Sequence, residues 1–142
     1  MHFCTSQWKR ASAKCCRFKR KQYEEKCHSF FVPSLQAFRW FLRSEFSEEN
    51  LAFWLACEEY KSMPETKLSS KAQLIYTLFI NADAPQEVNL DGETREALMD
   101  RMDAPAADTF AEAQQRIFTL MAKDSFPRFL HSTYYKQAVR GA

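Results

Sequence analysis

The chain contains very little glycine: only Gly92 and Gly141 occur in 142 residues. Hairpin turns between strands usually need glycine at positions of positive φ, so this scarcity favours helices over sheets. The sequence also lacks any apolar run near the roughly 20 residues that cross a bilayer, and it does not open with a basic segment followed by an apolar one. We therefore expect a protein that is made and kept in the cytosol.

Cysteine is present in an odd number, five, and four of the five lie within residues 1–29. An odd count in a cytosolic setting argues against a disulfide framework. The remaining cysteine, Cys57, and the nearby Trp54 follow the helical spacing of a core, and we assign neither of them to a site.

Charge divides the chain into two parts. Residues 1–29 hold eight Lys or Arg against two Glu, a net charge of +6, whereas residues 30–142 hold twelve Lys or Arg against sixteen acidic residues, a net charge of −4. A hydrophobic content of 46% is enough to build a core in a domain of this length. We interpret the chain as a basic tail, residues 1–29, followed by a mildly acidic domain, residues 30–142.

Apolar residues recur at helical spacing in successive segments of the domain, and prolines or residues typical of helix starts separate these segments. The predicted helices begin after Ser34, at Ser47 or Glu48 (to about Lys61), after Ser69 (to Ile80), at the N-cap candidate Asp91 (to Met102) and at a capping box of Thr109 and Glu112, with one or two short helices around Pro127. Short loops favour antiparallel neighbours, so the sequence predicts an all-α fold built on an antiparallel four-helix bundle.

The helix directions bring three loops to one end of the predicted bundle: the first, second and third loops, residues 44–49, 81–91 and 122–128. We call this end the contact pole. Its loops carry Glu45, Glu48, Glu49, Asp83, Glu87, Asp91 and Asp124, together with Asn89 and Arg128, and Asn50 directly follows the first loop. Conventional catalysis is hard to build from these residues, and the spacing of a calcium loop is absent, so no catalytic and no metal site is predicted. The pole is either a solvated polar end of the bundle or a binding surface for a basic protein partner.

Four stretches of the domain carry a family resemblance. They are Glu45-Phe46-Ser47-Glu48-Glu49-Asn50, Phe53-Trp54-Leu55-Ala56-Cys57-Glu58-Glu59-Tyr60-Lys61, Ala84-Pro85-Gln86-Glu87-Val88-Asn89-Leu90-Asp91 and Leu120-Met121-Ala122-Lys123-Asp124-Ser125-Phe126-Pro127-Arg128-Phe129-Leu130. In this order they resemble the domain of regulators of G-protein signalling (RGS domains), over roughly residues 34–140. The similarity is greatest to the small RGS proteins that are little more than the domain.

The resemblance implies a GTPase-activating protein for heterotrimeric G-protein α subunits, which terminates signalling by stabilising the switch regions in the transition state of GTP hydrolysis. The partner is then a GTP-bound α subunit of the inhibitory or the Gq class. Because the α subunit supplies its own catalytic Arg and Gln, the protein is not expected to be an enzyme or to need a cofactor, and we expect a monomer. The α-subunit contacts that carry over are Glu45, Phe46, Glu49, Asn50, Asn89, Asp91, Leu120, Asp124, Ser125 and Arg128. The alternative is a protein-interaction module of the same fold that does not accelerate hydrolysis.

Several of these residues also fit purely structural roles. Asn89 suits a turn or a helix cap, and Glu49 and Asn50 suit a helix start. Asp124 and Arg128 have the spacing of a pair on one helix face, and such a pair would brace the third loop while still shaping the contact pole.

The front of the domain departs from the family pattern. The family fold implies a smaller subdomain formed by the terminal helices, and RGS domains usually open it with a helix that carries a Trp and several apolar residues. Only the stretch 23–32 is available for that helix here. We expect the first helix to be shortened or replaced.

The basic tail carries Trp8 and Phe18 among its Lys and Arg residues, a composition suited to an anionic membrane surface. S-acylation of Cys15 and Cys16, for example by palmitate, would add the second signal that stable anchoring needs. We therefore expect a cytoplasmic lipoprotein that associates peripherally with the inner face of the plasma membrane. Nucleic-acid binding, zinc binding and an inert, disordered tail are the less favoured alternatives.

Overall fold

The computed structural model describes residues 35–140, and this part of the chain is helical, without a strand. In chain order the helices are α1 (35–44), α2 (Glu48–Lys61), α3 (Glu65–Ile75), α4 (Gly92–Arg101), α5 (Ala111–Leu120), α6 (Phe126–Leu130) and α7 (Thr133–Arg140). One π-helical turn, Tyr76–Ile80, extends α3, and a second, Met121–Ser125, joins α5 to α6. The all-α prediction is confirmed. The predictions for the basic tail, including Cys15 and Cys16, and for the shortened first helix lie outside the described residues.

The described residues form two compact units. Unit 1 contains residues 35–46 and 122–140, and unit 2 contains Ser47–Met121. The first division falls inside the first loop and the second lies within the π-helical turn that follows α5.

Unit 2 contains α2 to α5, and side-chain contacts fix the direction of each helix relative to its neighbours. The ring of Phe53, early in α2, lies 5.6 Å from that of Phe79, just beyond α3. The ring of Tyr60, late in α2, lies 5.0 Å from that of Phe110, just before α5. Asp91, at the start of α4, contacts Arg116 in the second half of α5, and Arg101, at the end of α4, contacts Asp108 just before α5. Neighbouring helices therefore run in opposite directions, which confirms the antiparallel four-helix bundle. The start of α2, the second loop and the end of α5 share one end of this unit.

Unit 1 has a core of aromatic rings supplied by α1, α6 and α7. The ring of Phe129 lies 5.0 Å from Phe38, 5.7 Å from Phe41 and 5.5 Å from Tyr135. Phe38, Phe41 and Phe129 are buried. The predicted smaller subdomain of terminal helices is confirmed by this unit.

The starts of two helices differ from the prediction. Helix α3 begins at Glu65 and not after Ser69, because Pro64 adopts an extended conformation at the N-cap and lets the helix start at once. The capping box before α5 is wrong: the hydroxyl of Thr109 accepts a hydrogen bond from the N–H of Ala106 at 2.8 Å, outside the helix. Two other N-caps have opposite outcomes. Ser47 makes no capping hydrogen bond with its side chain, whereas Asp91 caps α4 as predicted.

Candidate functional site

In unit 1, Arg128 on α6 joins two predicted contact residues. Its Nη1 donates to Glu45 Oε1, and its Nη2 donates to Asp124 Oδ2 at 2.9 Å. Its guanidinium also lies 6.0 Å from the centre of the Phe41 ring. The hydrogen bonds to Asp124 and Glu45 raise the pKa of Arg128 above its ordinary value. The pairing of Arg128 with Asp124 was predicted from sequence, and Glu45 completes it, so the first and third loops are tied together within this unit.

Phe46 follows this network with an unusual backbone. Its φ is +58°, in the left-handed region that bulky side chains rarely occupy, and its side chain is 93% exposed. A phenylalanine in water and in a strained conformation gives the fold no core packing. Such outliers concentrate at functional positions, which favours a binding role.

Asp124 and Ser125 lie on the π-helical turn that joins α5 to α6, where π-helical geometry often marks functional sites. Asp124 is exposed, whereas Ser125 is only 4% exposed. Ser125 therefore supports the third loop from within more than it presents a surface.

In unit 2, the second loop presents Asn89 to solvent. Val88 and Leu90, its neighbours in the chain, are buried, while Asn89 itself is exposed. The backbone N–H of Val88 also donates to the carbonyl of Phe79 at 3.0 Å. The N–H of Leu90 donates to the carbonyl of Val88 at 3.0 Å, so the chain turns tightly at Asn89, whose side chain is exposed while its two neighbours are buried.

Asp91 is fixed by three hydrogen bonds. Its carboxylate accepts from the backbone N–H of Thr94 at 2.8 Å, from the Thr94 hydroxyl at 3.1 Å and from Arg116 Nη1 at 2.7 Å. The hydrogen bonds from Thr94 lower the pKa of Asp91, and the charge of Arg116 lowers it further. Asp91 therefore combines its predicted capping role with a fixed, exposed negative charge.

The remaining three candidates lie on helices of unit 2. Glu49 is in the first turn of α2 and is half-buried. Asn50 is buried, at 7% exposure, so only a small part of its side chain reaches solvent. Leu120 ends α5 and is 39% exposed, more than a pure core residue would be.

Each unit thus gathers part of the predicted contact pole: Glu45, Phe46, Asp124 and Arg128 in unit 1, and the residues of the second loop with the start of α2 and the end of α5 in unit 2. That all three loops form one surface stays a prediction.

Two arginines that contact the second loop were not predicted from the sequence. Arg95 on α4 donates to Glu87, and Arg116 on α5 donates to Asp91. Arg116 also contacts Glu112, four residues earlier on the same helix, but the pairs with Glu87 and Asp91 span eight and 25 positions and have no local signal.

Within residues 35–140 no group of three or more His, Cys, Asp or Glu side chains has the arrangement of a metal site. Cys57 lies in the core of unit 2, and its burial raises the pKa of the thiol, which keeps it protonated. None of the described helices is long and apolar enough to span a membrane. The described side chains of the three loops provide hydrogen-bonding and charged groups.

The sequence model of the family described as "Regulator of G protein signaling domain" matches residues 17–138. The chain belongs to the RGS family. Its relatives include Regulator of G-protein signaling 21 of Homo sapiens, 55% identical over 74% of this chain and 70% of the relative. Regulator of G-protein signaling 5 of Sus scrofa is 48% identical over 75% of this chain and 59% of its own length. Regulator of G-protein signaling 8 of Macaca fascicularis is 54% identical over 70% of this chain and 51% of its own length.

These matches confirm the family resemblance and extend across both units of the RGS chain. The matched segment spans between about half and 70% of the length of these relatives. The family match begins at residue 17, ahead of the predicted domain start at residue 30, and the boundary between tail and domain stays a prediction.

Proposed function

We propose that this protein is a GTPase-activating protein for heterotrimeric G-protein α subunits of the inhibitory or the Gq class. The observation that carries the proposal is the presentation of Asn89, whose amide is exposed on a loop held by buried neighbours. An amide can hydrogen-bond to a switch glutamine without adding charge. Because the loop is fixed before binding, little conformational entropy remains to be lost when the partner docks.

The reaction chemistry belongs to the α subunit, which supplies an arginine in cis and a glutamine that orients the attacking water. An activator then needs only to hold the mobile switch segments in their transition-state arrangement. Positioning of this kind lowers the barrier through preorganisation and needs no donated catalytic group.

The charge of the candidate residues supports a basic partner surface. The single positive charge of Arg128 is outnumbered by the two carboxylates that it contacts, those of Glu45 and Asp124. Glu49 adds a further negative charge, and the charge of Asp91 is paired with Arg116. A sign reversal, Glu49→Lys, should weaken binding to the activated α subunit. Because Glu49 is in the first turn of α2, where an acidic side chain is favourable, the change should also lower the free energy of unfolding by about 1 kcal/mol.

The test is single-turnover GTP hydrolysis by purified α subunits of both classes, with and without the full-length protein. Wild type is expected to accelerate hydrolysis, and Asn89→Ala to lose most of this acceleration. Gln73→Ala, which removes an amide from an exposed position on α3, serves as the matched control and should behave as wild type. No acceleration of either class by folded protein contradicts the proposal, and binding without acceleration supports the non-activating interaction module instead.

We also infer that the basic tail places the protein on the inner face of the plasma membrane. The support is the net charge of +6 in residues 1–29 together with Trp8, Phe18 and the acylation candidates Cys15 and Cys16. Each Lys or Arg near an anionic surface contributes about 1 kcal/mol. Replacing the Lys and Arg residues of the tail by Gln should abolish binding to phosphatidylserine vesicles, and unchanged vesicle binding contradicts the inference.

A further inference from the structure

The second loop is folded back onto the end of the helix that precedes it. The last carbonyl groups of a helix have no partners within the helix itself. Two such carbonyls, on the π-helical turn beyond α3, accept hydrogen bonds from the loop: Gln86 N–H donates to Leu78 O and Val88 N–H donates to Phe79 O, both at 3.0 Å. The loop therefore completes the hydrogen bonding of the helix end.

The next carbonyl in the series is held by a side chain. Arg95 Nη1 donates to Ile80 O at 2.6 Å, and the same nitrogen lies 2.8 Å from Glu87 Oε1. Ile80 is the residue before the loop, Glu87 is within it, and Arg95 is on the helix after it. One guanidinium thus links the three segments whose relative position determines where the loop lies.

This link is adjacent to the residue that carries the proposed function. Glu87 is two residues from Asn89 in the chain, and both are exposed while Val88 between them is buried. On the other side of Asn89, the carboxylate of Asp91 is held by Thr94 and Arg116. Asn89 therefore lies between two carboxylates that arginines of neighbouring helices hold in place.

We propose that Arg95 is a positioning residue for activation of the α subunit, acting through Glu87 and the carbonyl of Ile80 to hold the second loop in the shape that presents Asn89. The proposal rests on the proposed function. The side chain of Arg95 is only 24% exposed, and its Nη1 donates within the protein, so its effect on the partner passes through the loop. A loop that is already ordered loses less entropy on binding, which lowers the protein concentration that half-maximal acceleration requires.

The first test measures the rate of single-turnover hydrolysis against the concentration of the full-length protein. Arg95→Met is expected to raise the half-maximal concentration by about 10-fold, in line with the loss of hydrogen bonds from a charged group. The rate at saturation is expected to stay at the wild-type value, because the bound loop still presents Asn89. Arg101→Met is the matched control, since Arg101 is on the same helix and pairs with Asp108 at the other end of the bundle. It should leave both values unchanged.

A double-mutant cycle distinguishes positioning from a general structural role. When Asn89 is already replaced by Ala, the residue that Arg95 positions is gone, and Arg95→Met should raise the half-maximal concentration by less than about 2-fold. If Arg95 had only a structural role, Arg95→Met would raise the half-maximal concentration by the same factor with and without Asn89→Ala. Additive effects of the two substitutions overturn the proposal.

A readout without the α subunit keeps the test independent of the proposed function. Amide hydrogen exchange at Gln86 and Val88 should speed up by about 10-fold in Arg95→Met and stay unchanged in Arg101→Met. If Arg95→Met unfolds, Glu87→Gln replaces it, with a smaller shift in the same direction expected in both measurements. A wild type that does not accelerate hydrolysis overturns the proposed function and this inference with it. An active wild type whose Arg95→Met and Arg101→Met variants behave alike overturns this inference alone.

Discussion

The two units hold their candidate contact residues by different means. In unit 1, Glu45 and Asp124 are held by the guanidinium of Arg128, at a surface that water and salt reach. In unit 2, Asn89 is held by the burial of Val88 and Leu90. Exposed ion pairs weaken as salt screens them, whereas buried apolar contacts do not. The two parts of the proposed binding surface should therefore respond to different solution conditions.

The largest expected effect is the loss of stability when a core phenylalanine of either unit is truncated. Phe129 contacts several rings of unit 1, whereas Phe79 of unit 2 has its ring contact with Phe53. Phe129→Ala is therefore expected to lower the free energy of unfolding by about 5 kcal/mol and Phe79→Ala by about 3 kcal/mol. Urea denaturation measures the free energy of unfolding of both variants. The control is Phe46→Ala, at an exposed position, which should change the free energy of unfolding by less than about 0.5 kcal/mol. A larger loss of unfolding free energy for Phe79→Ala than for Phe129→Ala would contradict this prediction.

The salt response separates the two contact sets most directly. Arg128→Met should raise the half-maximal concentration for acceleration by about 10- to 30-fold, because it releases both carboxylates. Raising the ionic strength from about 0.05 M to about 0.5 M should weaken binding by wild type and, by a smaller factor, by Arg128→Met, since salt screens the attraction to a basic partner in both proteins but the ion pairs of Arg128 only in wild type. Asn89→Ala should keep the full salt dependence of wild type. Equal salt dependence in all three proteins would contradict the comparison.

Relieving backbone strain is expected to change the stability of the two units by smaller amounts. Phe46 in unit 1 and Asp83 in unit 2 both have positive φ, +58° and +60°. Asp adopts this region more readily than a bulky residue does. Phe46→Gly should therefore raise the free energy of unfolding by about 0.5–1 kcal/mol, and Asp83→Gly by less, as thermal or urea unfolding will measure.

The control for this strain is Phe46→Ala, which removes the ring and keeps a Cβ, so its stability should match wild type. Both Phe46 variants should bind the α subunit more weakly, because the exposed ring is lost. A Gly variant that is less stable than the Ala variant would show that the backbone at Phe46 is not strained.

The smallest expected effect is a dependence of unit 2 on acid. The folded-state pKa of Asp91 lies below its ordinary value, so Asp91 stabilises the fold at pH values above the ordinary pKa of about 3.9. This contribution is lost as the pH falls through the lowered pKa. Asp91→Asn should flatten the decline of stability between about pH 5 and about pH 2.

The pKa of Asp108 is lowered as well, by its hydrogen bond with Arg101 at the other end of the bundle. Asp108→Asn therefore provides the comparison for Asp91→Asn. In the double variant, the free energy of unfolding should depend less on pH than in either single variant. A double variant with the pH profile of wild type would show that neither carboxylate contributes.

Helix periodicity was sufficient for most of the fold. The range of α2 and the cap at Asp91 follow from signals within a few residues of each other, namely an apolar stripe and an acidic residue ahead of it. The start of α3 at Glu65 was missed because Pro64 was interpreted as an interruption, although proline in an extended conformation equally well precedes a helix.

The site was predicted less completely, for reasons of distance. Asp124 and Arg128 are four residues apart on one helix face, and their pairing was predicted. Glu45 contacts the same arginine from 83 positions away in the chain, and Arg95 reaches Ile80 from 15 positions away, so neither contact has a local signal. The positive φ of Phe46 was also not predicted, because a bulky residue is disfavoured there and only the surrounding structure imposes it.

The number of residues in each of the two π-helical turns matters for the candidate site. A π turn closes its hydrogen bond over one residue more than an α turn does, so deleting one residue from Tyr76–Ile80 or Met121–Ser125 would leave an ordinary helix. In Tyr76–Ile80, the carbonyls of Leu78 and Phe79 accept hydrogen bonds from the loop that carries Asn89, so a deletion there would change which carbonyls face that loop. These two segments can therefore exchange one side chain for another more easily than they can lose a single residue.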